Sequence, residues 1–171
     1  MELRLAWKYF LYFITLLLLQ VLVFDNMVVS KYLFYPNVFV LFILLLPFEL
    51  DLNIMLIVGF ISGLIYDIFI HSLAFNAISF TVIAYLRYYI LKLIIPREGY
   101  IANTLPSYIY YGFNWFFLYS LIIVFVYELI FNFLVYFKVS FNRILLNSIV
   151  DFLLSFFFVM VLHLTFYKNK L

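Results

Sequence analysis

The sequence has no cysteine and very little charge. Without cysteine there can be no disulfide, no thiolate metal site, no iron–sulfur ligation and no cysteine nucleophile. Charged residues make up 11% of the 171 positions, against about 25% in an ordinary soluble domain. With 70% apolar residues, there is too little polar surface for a compact fold in water and far too much apolar surface for a disordered chain. The net charge is only +2 and the ten Lys and Arg are scattered. No basic block follows a phosphate backbone, which argues against nucleic-acid binding. The apolar runs lack the period of two that a membrane β-barrel needs. Nor is there an HExxH, GxSxG or Walker glycine loop.

What is present is a series of long apolar runs rich in Phe (24) and Tyr (16). A membrane span takes roughly 20 helical residues. The runs predict an all-α membrane protein, a compact bundle of six spans at approximately 5–24, 32–48, 52–70, 75–95, 108–137 and 144–166. Six spans use about 120 residues, leaving no room for a second domain, so residues 1–171 read as one integral membrane domain. Arg4 and Lys8 precede the first run as in a signal peptide, but Asp25–Asn26–Met27 follows it with no small-residue cleavage site, so the helix reads as retained. Pro36 and Pro47 bracket the second run and Glu49 and Asp51 end it. The fifth run is long enough for a tilted span plus an interfacial turn.

With both termini cytoplasmic, the inner side carries Arg4, Lys8, Lys92, Arg97, Lys168 and Lys170, and the outer side Lys31, Lys138 and Arg143. Six against three satisfies the positive-inside rule.

Polar groups within the spans fall into two sets. Gly59, Gly63 and Asp67 are spaced i, i+4, i+8 on one face of span three, and Ala74, Ala77, Thr81 and Ala84 form a small-residue face on span four. Such faces let backbones approach closely, and the spacing predicts helix packing, with Asp67 turned into protein rather than lipid. A ligand or partner contact is the alternative role for Asp67. Arg87 lies roughly 18 Å down span four. It is expected to snorkel to the headgroups or to meet the acidic turn of Glu49 and Asp51.

The second set is an outer-half polar network. Arg143, Asn147, Asp151 and Ser155 recur every four residues on span six, and Glu128 and Asn132 are i, i+4 on span five. Counted from the outer ends, Glu128 and Asp151 lie at similar depth, roughly 10–12 Å. Two such carboxylates either hold a proton between them or are neutralised by Arg143 or Lys138. The network is either an outward-open pocket, a docking face for another membrane protein, or an internal device that fixes helix register. His71 and His163 fall on opposite sides of the membrane and cannot share a metal. No cofactor is implied.

Tyr35–Pro36–Asn37 before a long apolar helix, followed by Gly59–Phe60–Ile61–Ser62–Gly63–Leu64–Ile65–Tyr66–Asp67, resembles the rod shape-determining membrane protein family MreD. That family opens its second helix with Arg-Pro-Asp or a relative such as Pro-Asn and continues with Gly-Phe-x-x-Gly-Leu-x-x-Asp. Asn76–Ala77 through Ala84–Tyr85 and Arg87 fit the helix that follows. The resemblance covers roughly residues 35–90. It implies a fold similar to the six-helix substrate-binding component of vitamin-type transporters. It also implies a non-enzymatic scaffold of the cell-elongation machinery in the bacterial inner (cytoplasmic) membrane. The partner would be an MreC-like bitopic protein, with links to an MreB filament, a RodA-like glycan polymerase and a class B transpeptidase, in support of peptidoglycan synthesis and cell shape. The rival is that related fold used to bind a small vitamin-like solute from outside, with Glu128, Asn132, Asn147 and Asp151 lining the pocket.

The charge bias yields a direct expectation. Single cysteines placed at Asn26 and Asn169 should respond oppositely to an impermeant thiol reagent in intact cells, the first labelled and the second protected. Labelling at position 169 with protection at 26 would invert the topology.

Overall fold

The structure is a computed structural model describing residues 2–26, 36–96, 99–101, 104–137 and 141–168, with the side chains of 2–6, 143, 167 and 168 outside the description. The described residues are helical, with no strand among them. Helix α1 (Glu2–Leu19) widens into one π-helical turn at Gln20–Phe24. After it come α2 (Val40–Leu44), α3 (Leu52–Ile70), α4 (Phe75–Leu93), α5 (Tyr108–Tyr111), α6 (Phe113–Val135) and α7 (Phe141–Lys168). Four segments are long and apolar enough to cross a membrane: Trp7–Phe24, Leu52–Ile70, Phe113–Val135 and Ile144–Phe166. Their outward faces are apolar, as lipid requires: Ile57, Phe60, Ile61 and Ile68 on α3, and Leu146, Leu153 and Phe157 on α7, are all exposed.

The third and sixth spans fall where expected. The fourth run forms α4, as long as α3 but more polar, with Asn76, Ser79 and Arg87 all buried within it. The fifth run breaks at Gly112, whose φ of 82° ends α5 and starts α6. That short first piece, Tyr108–Tyr111, takes up the length of the run beyond a single span.

The second run departs from expectation. Instead of a helix over 32–48, the described part contains only the five-residue α2, about 7.5 Å long and far short of the roughly 30 Å of a bilayer core. Residues 38–46 are all buried, most of them completely, and α2 packs against α1, α4, α6 and α7. The physical reason lies in the prolines and in the ambiguity of hydropathy. Pro36 and Pro47 leave only about ten residues between them for a helix, and a helix enclosed by protein is as apolar as one exposed to lipid.

Helices α3 and α4 form an antiparallel hairpin through a turn in which His71 and Ala74 take left-handed backbone conformations, φ 54° and 63°. Their contact is the close one that the small residues predict. A Cβ built on Gly63 would lie 2.5 Å from the Asn76 carbonyl oxygen and 2.6 Å from the Ala77 Cα, and one on Gly59 would lie 2.9 Å from the Phe80 carbonyl oxygen. The obstacles are backbone atoms, so the two helices would have to separate. Gly63→Ala should therefore destabilise the protein by about 1–3 kcal/mol, the usual cost of overpacking. Gly59→Ala should cost less, because its nearest contacts are longer. Thermal unfolding of the two variants in detergent measures the order, and an unperturbed Gly63→Ala would contradict the packing.

Candidate functional site

A helix as short as α2 leaves most of its backbone N–H and C=O groups without partners in the helix. In a membrane interior each unsatisfied group costs several kcal/mol. Side chains from the surrounding helices meet this demand, and they form two buried polar clusters, one at each end of α2.

At the leading end, Gln20 is 1% exposed and sits at the start of the π-helical turn. Its Oε1 accepts from the Val38 and Phe39 N–H groups at 2.7 and 3.3 Å. Its Nε2 hydrogens are shared among Pro36 O, Asp25 Oδ1 and Tyr66 OH at 2.8–3.1 Å. The Tyr66 hydroxyl donates to Asp25 Oδ1 at 2.8 Å. Burial pushes the Asp25 carboxyl above the usual carboxylate range, opposed by the hydrogen bonds from Gln20 and Tyr66. Asn37 does three things: its Oδ1 accepts from the Val40 N–H, its main-chain N–H donates to Ser155 Oγ at 2.7 Å, and its Nδ2 donates to the Tyr127 hydroxyl.

From Asn37 the network runs in two directions. Through Tyr127 it reaches Asn76 Oδ1 at 2.6 Å, and the Asn76 side-chain nitrogen donates to Asp67 Oδ1 at 2.9 Å. Through Ser155 it reaches Glu128 Oε1 at 2.5 Å. Beside Glu128, Asn132 Nδ2 donates to Asp151 Oδ2 and to the Glu128 carbonyl, both at 3.1 Å. The two polar sets that the sequence places on different span pairs are thus one connected system.

Asp67 has a definite structural role. Its carboxylate accepts from the Asn76 and Ala77 N–H groups at 3.1 and 2.8 Å, and from the Ser72 hydroxyl. Those two amides belong to the first turn of α4, whose own N-cap, Ala74, has no side chain to offer. Asp67 therefore caps α4 from the end of α3, where a negative charge also meets the positive end of the helix dipole.

At the trailing end of α2, Arg87 is 1% exposed. Its Nη2 donates to Leu46 O at 2.5 Å, its Nε to the Tyr119 hydroxyl at 2.7 Å and its Nη1 to Met55 Sδ at 3.1 Å, while Tyr119 donates on to Leu44 O at 3.1 Å. The expectation of a snorkelling Arg87 is therefore corrected. A guanidinium facing the negative end of a buried helix gains more from the fixed carbonyls than from the headgroups.

Of the other site residues, some lie as expected and some do not. Ala77 is fully buried against Gly63, whereas Thr81 is half-buried and its hydroxyl turns back to Ala77 O at 2.7 Å. On α7, Asp151 and Ser155 face α6, but Asn147 is only half-buried and Ser148 takes the inward position, while the Arg143 side chain lies outside the described residues. A step of four residues turns about 400°, so a strict i+4 stripe drifts about 40° per step and leaves the interface within three steps. The buried face actually runs Ile144, Ser148, Asp151, Ser155, Val159. His163 is buried, stacked on Phe116 with centroids 3.6 Å apart, and its Nε2 accepts from the Tyr108 N–H at 3.3 Å.

Gln20, Tyr119, Tyr127 and Ser148 carry no mark in the sequence as network members. The tyrosines are lost among sixteen, and only the broken α2 creates the need for them. An open cavity of about 560 Å³ at the α3–α4 turn is lined by Asp67, His71 and Ser72, and two smaller ones lie deeper. A cleft of about 130 Å³ between α1, α2 and α7 is lined by Leu11, Thr15, Leu16, Leu41, Leu45 and His163. A second, about 180 Å³, lies among Phe48, Met55, Arg87, Tyr88, Lys92 and Tyr100. Neither is bordered by Glu128, Asn132, Asn147 or Asp151.

The fold and its buried network are those of an all-helical, multi-pass membrane protein. No protein-family model matches the chain, and no curated protein or solved structure is significantly similar to it.

The trailing cluster can be tested directly. A lysine at position 87 offers one ammonium where three directions must be served. Arg87→Lys should lower stability by about 1–3 kcal/mol, the cost of leaving a buried acceptor unsatisfied. Unfolding in detergent by denaturant or heat measures it, and wild-type stability would show that Leu46 O does not depend on the guanidinium.

Proposed function

We propose that the chain is a non-enzymatic membrane scaffold of the MreD type, which binds an MreC-like bitopic protein in the bacterial cytoplasmic membrane and helps position wall synthesis. The observation that carries this reading is the meeting of the two segments on which the resemblance rests. Asn37 of the Pro-Asn pair and Asp67 of the Gly-x-x-x-Gly-x-x-x-Asp segment are joined through Tyr127 and Asn76 in one buried network. The motif residues thus form a working unit whose purpose is to hold a shape. The polar side chains of α6 and α7 support the same reading, because Glu128, Asn132 and Asp151 are 0–2% exposed and turned toward one another. A solute pocket on the outer side would instead present such groups to its opening. The membrane orientation, with both termini inside, follows from the charge bias.

The test is affinity purification of the tagged chain from membranes that also contain the MreC-like protein of the same genome. The bitopic protein should be retained, an untagged control should not yield it, and mass spectrometry should find no small solute at stoichiometric amounts. A stoichiometric vitamin-like solute, lost in Glu128→Gln and Asp151→Asn, would replace the scaffold with the solute binder.

A further inference from the structure

Glu128 lies in the middle of α6 with no exposure at all. One of its carboxyl oxygens, Oε1, accepts the Ser155 hydroxyl proton. That hydroxyl also accepts from the Asn37 N–H. The other oxygen, Oε2, meets no hydrogen-bond donor among the described residues. One helical turn along, Asn132 is 1% exposed and its Oδ1 is in the same condition. The orientation of this amide follows from its surroundings. Its nitrogen faces two oxygens, the Glu128 carbonyl and Asp151 Oδ2, neither of which can donate in its usual form. Oδ1 therefore stands on the other side of the amide. Two orphaned acceptors thus occupy successive turns of one buried helix face.

The charged surroundings sharpen the problem. On α7 the nearest ionisable group is Asp151, itself an acid. Tyr127 is adjacent on α6, and Tyr66, Asp67 and Asp25 are the further acidic groups that act on this region. The segment before α2 brings Asn37, and α2 itself has no ionisable residue. Among the described side chains the nearest cation on α4 is remote: Arg87 is eleven residues from Asn76, about 16 Å along the helix. His163 is eight residues beyond Ser155, about 12 Å away along α7. An ionised Glu128 would stand in a low-dielectric interior among acids, with one oxygen bare.

We infer that Glu128 is a proton-binding site: it is a carboxylic acid in the folded protein, with its proton on Oε2 shared with Asn132 Oδ1. A single proton satisfies both orphaned oxygens and removes the buried charge. It also separates the two carboxyls, since Asp151 Oδ2 accepts from Asn132 Nδ2 while the shared proton lies on the other side of that amide. A metal ion such as sodium would be drawn to the same oxygens, and the test distinguishes the two.

Infrared spectroscopy of the purified protein at pH 7 should show a protonated-carboxyl C=O band that moves down in deuterated water. The band should be lost in Glu128→Gln, retained in Asp151→Asn, and moved up in Asn132→Ala, where its acceptor is gone. It should be the same in sodium chloride and choline chloride. Glu128→Gln supplies an amide N–H in place of the acid proton. Its unfolding temperature should stay within about 4 °C of the parent, the shift that ~1 kcal/mol gives for a protein of this size, while Glu128→Ala should fall further. A missing band overturns the inference. So does a band that survives Glu128→Gln, one that disappears equally in Asp151→Asn, one present only without sodium, or a Glu128→Gln protein as unstable as Glu128→Ala.

Discussion

The structure depends on keeping a broken helix in a place without water. Nine consecutive residues around α2 are buried on every side, yet α2 itself is too short to satisfy its own backbone. Irregular backbone at membrane depth is tolerated only inside protein, with its polar groups met by neighbours. Several of the buried polar side chains answer this demand. Gln20, Asn37 and Ser155 take the amides before and at the start of α2, and Arg87 and Tyr119 take the carbonyls at its end. The charges also suit the helix dipole, with a guanidinium at the negative end.

The remaining helices are arranged around that element. The α3–α4 hairpin is held at backbone contact by Gly59 and Gly63 and by the Asp67 carboxylate that caps α4. This closeness places Asn76 where it meets Tyr127 of α6, and through it Asn37. A change in helix spacing at Gly63 would therefore be felt at the start of α2, two side chains away. Such coupling would suit the scaffold role proposed above, because the polar links are directional where lipid-facing apolar contacts are not.

Aromatic residues do a second kind of work. Phe48, Tyr100, Tyr111 and Trp115 pack ring against ring beside the trailing end of α2, with centroids 4.3–6.2 Å apart, and the Trp115 indole donates to Ile94 O at 2.8 Å. They cover the end of α4 and join the α5–α6 break to the bundle.

Composition and hydropathy alone determine that this chain is helical and belongs in a bilayer. They place α3, α6 and α7 within a few residues, because each is long and apolar enough to cross a membrane. Close packing of α3 on α4 was also legible, since glycine and alanine at i, i+4 spacing have few other uses within a span. The character of the second run was not, because burial in protein and burial in lipid select the same residues. Nor was the fate of Arg87. Whether a cation rises to the headgroups or turns to a helix end depends on where carbonyls are left open, and α2 exists as such an end only in three dimensions. The α7 stripe failed for a plainer reason: a four-residue step overshoots the helical turn, so only the contact with α6 could decide that Ser148 and not Asn147 points inward. Tertiary structure alone joined Asp67 to Glu128, since the links between them are Asn76, Tyr127, Asn37 and Ser155, drawn from four separate segments that only folding brings together.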